Sequence, residues 1–414
     1  MFEKKLHFNY KDIFLSPRLA LSPKKIWVFI LGNLYGYIAY WVLTFIAMIL
    51  SGVEINEALY DYGLYPYLSG TDFSPISWSI YYAGIIFWAL SLLASSTAVS
   101  SITIRQLRGD NFYSANDAFD QILKKWKTIL FTPITLILIL LALIVIGGFF
   151  AILGRISFIG PLLVAITYPL LFLGSIFLVF SYLVFISSFS LYPSAVGAYD
   201  EDTIGSVFHA YQTTFNQPWR ILTYNILLLP LVILSMKLLS WFCQLGFNVM
   251  NLFSEQVMGS SYSNIMSYAL SVLNLDFILA NAPLYEITFL TDSLSLQSLV
   301  SVFVNILTSL FAEIFNIILS CLPLLEYSTD GGYISSVETI AGLILSISFI
   351  FLYLSVLSYG FSIVSVGQTI IFIIFKKLND DENLVLDNPH IINKNSDSIE
   401  HSSAEILDSI REEE

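Results

Sequence analysis

Residues that carry enzyme chemistry are scarce in this sequence. Two cysteines and four histidines occur in 414 residues, with no CxxC, no Cys/His pair at zinc spacing, no HExxH, no GxSxG elbow and no glycine-rich phosphate loop. These absences leave nothing to build a metal centre, a nucleophile-base pair or a nucleotide cradle, so a non-enzyme with no cofactor is expected. Cys243 and Cys321 lie in or beside apolar runs and read as buried thiols. Of the histidines, His7, His390 and His401 fall in terminal arms, and His209 reads as a solvated or lipid-contacting ring. Asp200, Glu201 and Asp202 form an acidic trio best read as a helix cap and dipole partner. Charge is thin as well, at 12% of residues, and the stretches 52–77 and 248–295 contain no Lys or Arg. A short apolar core followed by a small-residue cleavage site is also missing near the N-terminus, so no cleaved signal peptide is expected.

What the chain has instead is apolar length. Apolar residues make up 56% of it, in blocks of twenty or more, which is the composition of a polytopic membrane protein rather than of a soluble core. The net charge of −13 is mostly a tail: 378–414 carries eleven acidic residues against Lys394 and Arg411. That tail is expected to be mostly disordered and cytosolic, and 1–25 to be a basic cytosolic arm. The helical membrane domain then covers 26–377. Within it, spans are expected at about 26–51, 78–102, 129–153, 158–190, 219–247 and 340–375, and 248–295 forms an outer polar segment. Gly32 and Gly36 in the first span permit close helix contact, expected within the chain.

A polar unit occurs twice. From Ser114, the residues Phe119, Ile122, Leu123 and Trp126 fall on one helical stripe; from Asp202, so do Ile204, Phe208, Tyr211 and Phe215. Both copies open on helix-start chemistry, Ser114 with Asp117 and Asp202 before Thr203. Surface helices are therefore expected at about 114–127 and 203–216, lying in the membrane plane before the chain enters it. Bases and indoles gather at these mouths. Arg105, Arg108, Lys124, Lys125, Trp126, Lys127, Trp219 and Arg220 are the candidate lipid-interface residues, suited to anionic headgroups.

Sidedness follows from the cations. Sixteen of the eighteen Lys and Arg residues lie in the arm, the two repeated units with their approaches, and the segment from Lys376; only Arg155 and Lys237 do not. The positive-inside rule puts those segments and both termini in the cytoplasm, with the protein in a bacterial cytoplasmic (inner) membrane. Parity then allows two arrangements. Either 299–325 is re-entrant or lies within the bundle without crossing and there are six transmembrane helices, the preferred reading, or 265–282 also crosses and there are eight. The second places Asp276 inside the bilayer, at roughly 2.5–3.5 kcal/mol near a helix centre. Cysteines introduced at Ser396 and Thr71 should react with an impermeant thiol reagent from the cytoplasmic and the outer side respectively, once Cys243 and Cys321 are removed. Labelling of Ser396→Cys in intact spheroplasts would overturn this sidedness.

Intramembrane polar groups are the remaining candidates. Lys237 and Glu313 are the long charged side chains deep in apolar runs, and Asn305 and Asn316 flank Glu313. The repeated pairing of an amphipathic unit with an apolar span, carried by 112–133 and 192–222, resembles the polytopic membrane domain attached to some bacterial glycerophosphodiester phosphodiesterases. The phosphodiesterase barrel is absent, so the resemblance implies architecture and no catalytic residues. The function expected is that of a scaffold or accessory subunit engaging anionic membrane lipids, with other membrane subunits as possible partners and no nucleic acid. The alternative is a small-solute or ion transporter using Glu313, and a membrane-embedded enzyme comes third.

Overall fold

The computed structural model describes residues 6–68, 73–110, 112–273 and 334–385, with 316–317, 319–323, 325 and 327 between the last two. The secondary structure of these residues is helical, with no strand, and six helices are long and apolar enough to cross a membrane. This is an all-α polytopic membrane protein. Those six are α2 (Pro23–Leu50), α4 (Pro75–Leu107), α5 (Ala115–Leu153), α6 (Ile159–Tyr199), α8 (Pro218–Met258) and α10 (Ser336–Asp380). Shorter helices complete the order: α1 (Ser16–Ala20) after a 3-10 turn at Tyr10–Leu15, α3 (Ile55–Tyr62), α7 (Thr203–Asn216) and α9 (Ser260–Leu273). The runs 265–282 and 299–325, on which the choice between six and eight crossings turns, lie largely outside the described residues.

The two repeated units differ in one respect. The first is continuous with its span, a single helix of 39 residues, whereas the second is a separate 14-residue helix. Gln217 and Pro218 explain the second: a residue before proline is pushed out of the helical region, and Gln217 sits at φ −139°, ψ 51° while Pro218 opens α8. In the first, Pro133 lies inside α5 and frees the carbonyl of Ile129. The buried Tyr192 hydroxyl donates to that carbonyl at 3.4 Å, so the helix runs on. At about 1.5 Å per residue, α5 is far longer than a hydrocarbon layer of roughly 30 Å.

The chain divides into two compact units, one formed by 1–28, 93–228 and 362–414, the other by 29–92 and 229–361. In the first, α4, α6 and α10 meet along a seam of small hydroxyl residues. Ser365 Oγ donates to the Ser96 carbonyl at 2.9 Å, Thr369 Oγ1 to Ser100 Oγ at 2.9 Å, and Ser101 Oγ to the Gly197 carbonyl at 2.8 Å. Lipid offers no hydrophobic drive between helices, and small residues with short hydrogen bonds let backbones close up instead. Among its described residues the N-terminal arm forms the 3-10 turn and α1 before α2 begins at Pro23. It is tied to α10 by Ser362 Oγ, which donates to the Ala20 carbonyl at 3.1 Å.

In the second unit α2 packs on α4 through glycine. A Cβ on Gly36 would fall 2.4 Å from the Trp88 ring, so the contact expected of this glycine is made within the chain. Tyr37, Tyr40 and Trp41 donate to the carbonyls of Leu64, Pro66 and Gly63, fastening the segment after α3 to α2. The expected outer polar segment begins as helix. α8 continues to Met258, and α9 buries Tyr262, Met266, Ala269 and Leu273 against Phe349 and Tyr353 of α10.

Candidate functional site

A cavity of about 730 Å³ opens in the first unit at the ends of its long helices. The end of α4 supplies Ile104, Arg105 and Arg108; the turn after it supplies Tyr113; the first turns of α5 supply Asp117, Asp120, Gln121, Lys124 and Lys125. Gly197 to Asp200 at the end of α6, and Glu382 with Leu384 after α10, close the wall. Local chemistry sets these ends. The chain leaves α4 through Gly109 at φ +92°, a conformation that favours glycine. A reciprocal capping box then starts α5, with Ser114 and Asp117 each bonding the other's backbone N–H. Asp200 ends α6 in the left-handed region at φ +62°, which Asp tolerates better than most residues.

Most of the lining carboxylates are already engaged. Asp200 Oδ1 pairs with Lys125 Nζ at 3.1 Å, and its carbonyl accepts from the same ammonium at 2.8 Å. Glu382 Oε2 accepts from the Tyr199 hydroxyl at 3.0 Å and lies 3.8 Å from Lys376 Nζ. Asp117 Oδ2 accepts from the Ser114 N–H at 2.9 Å and hydroxyl at 2.7 Å. Burial, with Glu382 next, pushes the Tyr199 phenol up to about 12. Beyond the wall, the hydrogen bond from Lys377 holds the Asp381 carboxyl below its usual range.

The two arginines each contact a neutral partner. The Arg105 guanidinium lies 4.5 Å from the Tyr113 ring centroid. Tyr113 is pinned in turn: its carbonyl accepts from Lys24 Nζ at 2.9 Å and its hydroxyl donates to Gln121 Oε1 at 3.0 Å. Burial raises the Tyr113 phenol, and the nearby Arg105 opposes that shift. Arg108 Nε donates to the Leu384 carbonyl at 2.9 Å, and Leu384 is buried.

Of the lipid-interface candidates, the structure brings Arg105, Arg108, Lys124 and Lys125 together on this cavity. The other four lie outside its lining. Trp126 is exposed with Lys127 Nζ 5.9 Å from its ring centre, Trp219 is exposed, and Arg220 Nη1 donates to Gln217 Oε1 at 3.1 Å. Lys237 is exposed on α8 in the second unit and makes no ion pair among the described residues. Asn305 and Glu313 lie outside the described residues; Asn316 is half-buried, its carbonyl accepting from Ser320 N–H at 2.9 Å.

Three readings of the sequence change here. His209 is not a solvated ring: it pairs with Glu201 at 2.9 Å and sits edge-on to Tyr199 and Phe372. The acidic trio splits, Asp200 going to Lys125, Glu201 to His209, and Asp202 capping α7 by accepting from Gly205 N–H at 2.8 Å. The first residues of the acidic tail are ordered. Lys376 and Lys377 pair one turn ahead with Asp380 and Asp381, which carries α10 to Asp380, and Glu382 then meets Tyr199 while Leu384 packs on Ile104, Ala195 and Ala198. Ser396 and Thr71 lie outside the described residues. Comparison with protein families, curated proteins and solved structures yields no match to the chain.

Proposed function

We propose that this protein is a non-enzymatic scaffold or accessory subunit of a bacterial cytoplasmic membrane, and that its cation-rich end grips anionic headgroups of the cytoplasmic leaflet. The observation that carries this reading is the segregation of charge. Among the described residues, thirteen of the fourteen Lys and Arg belong to the first unit, Lys237 being the exception, and four of the thirteen line one cavity beside four carboxylates. The positive-inside rule then favours a cytoplasmic position for the ends where they gather.

The burial pattern of α7 supports an interfacial role. Its small and polar residues Ser206, Ala210 and Thr213 are buried, whereas Ile204, Phe208 and Phe215 are 63–76% exposed. A helix that hides its hydroxyls and presents its large apolar side chains suits lipid, not water. Leu123 and Trp126 on α5 are exposed beside Lys124 and Lys127 in the same way. The architectural resemblance to membrane domains appended to phosphodiesterases is consistent with an assisting role.

Replacing Lys124, Lys125 and Lys127 together with Gln should strip acidic lipid from the purified protein. Each ammonium near a charged leaflet contributes about 1 kcal/mol, so the combined loss is on the order of a hundredfold in lipid affinity, smaller at high salt. Mass spectrometry of co-purified lipid measures it. Unchanged acidic lipid content in a folded triple variant would refute the reading.

A further inference from the structure

We propose that the cavity walled by α4, α5 and α6 recognises a single phosphate group, presented either by a glycerophospholipid headgroup or by a small soluble phosphate, with Arg105 and Lys124 as its principal ligands. The proposal rests on the lipid-engaging reading above, because it assigns a defined site to what a charged surface would otherwise do loosely.

The argument is one of uncommitted charge. Asp200 is paired with Lys125 and Glu382 lies 3.8 Å from Lys376, while Asp117 is held by the neutral Ser114 and keeps its charge. Neither Arg105 nor Lys124 has a carboxylate within ion-pair distance among the described residues. Arg105 feels Asp117 only at longer range and Lys124 has no carboxylate in contact, so both can still draw an anion into a concave site. The cavity volume, about 730 Å³, falls within the range of small-molecule sites, roughly 300–1,000 Å³.

Geometry selects phosphate among anions. A guanidinium offers parallel N–H donors that match two oxygens of one phosphate, and an ammonium adds a point charge to a third. Stacking on the pinned Tyr113 ring holds the Arg105 fork in place before any ligand arrives, which lowers the ordering cost of binding. Lys124 lies about 100° round α5 from the exposed Leu123, at the border of the apolar stripe that Leu123 shares with Trp126. A lipid whose phosphate reached Lys124 would find apolar surface beside it for its acyl chains. Asp120, one turn before Lys124, also lines the cavity without an ion pair, so it opposes the anion.

The test uses the full chain in detergent, titrated calorimetrically with two probes: inorganic phosphate, and water-soluble dihexanoyl phosphatidylglycerol. Arg105→Gln and Lys124→Gln should each weaken binding about tenfold or more. Arg105→Lys should recover only part of that loss, since it keeps charge but loses the fork. Asp120→Asn should tighten binding severalfold, a gain that a damaged fold cannot produce, and Lys237→Gln should change nothing. Binding of both probes, or of inorganic phosphate alone, supports a site for soluble phosphates; binding of the lipid alone supports a headgroup site. Absence of binding of both probes to the wild type, or affinity unchanged in Arg105→Gln and Lys124→Gln, overturns the proposal. In that event the lysine triple variant still judges the broader reading, because lipid lost from it would show surface engagement without a cavity site.

Discussion

Gly197→Leu should leave almost no folded protein in the membrane, and Gly197→Ala should fold with a loss of about 2 kcal/mol. A Cβ at this position would stand 2.3 Å from the Thr97 carbonyl oxygen, which is backbone and has no rotamer to yield. The α4 and α6 backbones must then part by about 1 Å to restore ordinary contact. Separation would also stretch the hydrogen bond from Ser101 to the Gly197 carbonyl and the Ser100 and Ser194 contacts that converge on Thr369. Gly174, on the same helix, has open space where a Cβ would sit. There Gly174→Ala should be neutral or gain about 0.5–1 kcal/mol, because alanine loses less backbone entropy in a helix. Thermal unfolding of the two alanine variants in one detergent, with the yield of folded Gly197→Leu, checks the contrast. Equal stability of Gly197→Ala and wild type would mean that α4 and α6 are not in close contact.

How far the sequence discloses this structure depends on how local each cause is. Apolar runs are local, and the six spans could be read from them with end errors of a few residues at most termini. Caps are local too: Ser114 with Asp117, and Asp202, both act as their residue types imply. The continuity of α5 was hidden because its cause is remote. The carbonyl freed by Pro133 is taken by Tyr192, 63 residues away. The helix α9 carries a local signal of its own, since Tyr262, Met266, Ala269 and Leu273 recur at helical spacing within a polar stretch. At the cavity, the sequence supplies the cations but not their convergence. Glu382 and Leu384 belong to a segment whose acidic composition suggests disorder, and only the burial of Leu384 beside Arg108 shows why it folds. Tyr113 could have been suspected, as an aromatic between Arg108 and the α5 cap. Its role under Arg105 needed three dimensions.

Lys376→Met is expected to destabilise the first unit by about 2 kcal/mol and to free the residues after α10. Lys376 is only 5% exposed. Its ammonium lies 3.0 Å from Asp380, 3.8 Å from Glu382 and 4.1 Å from the Tyr199 ring centroid. Breaking a fully buried pair costs about 3–5 kcal/mol, but both carboxylates here remain about 30% exposed and recover part of their hydration, which sets the lower figure. Tyr199→Phe separates the contributions. It keeps the ring under Lys376 and removes only the hydroxyl that donates to Glu382, so a loss of about 1 kcal/mol is expected. The pH dependence differs as well. Because the fold raises the Tyr199 phenol to about 12 from an ordinary value of about 10, it favours the neutral form. That stabilisation is complete below about pH 10 and is lost as pH rises toward about 12. Wild type should therefore lose more stability than Tyr199→Phe across that interval. Hydrogen exchange at 381–385, read by mass spectrometry, should rise strongly in Lys376→Met and modestly in Tyr199→Phe. Unaltered exchange in both would show that this wall of the cavity is held without Lys376 and the Tyr199 hydroxyl, by the burial of Leu384, its Arg108 hydrogen bond and the Lys377–Asp381 pair.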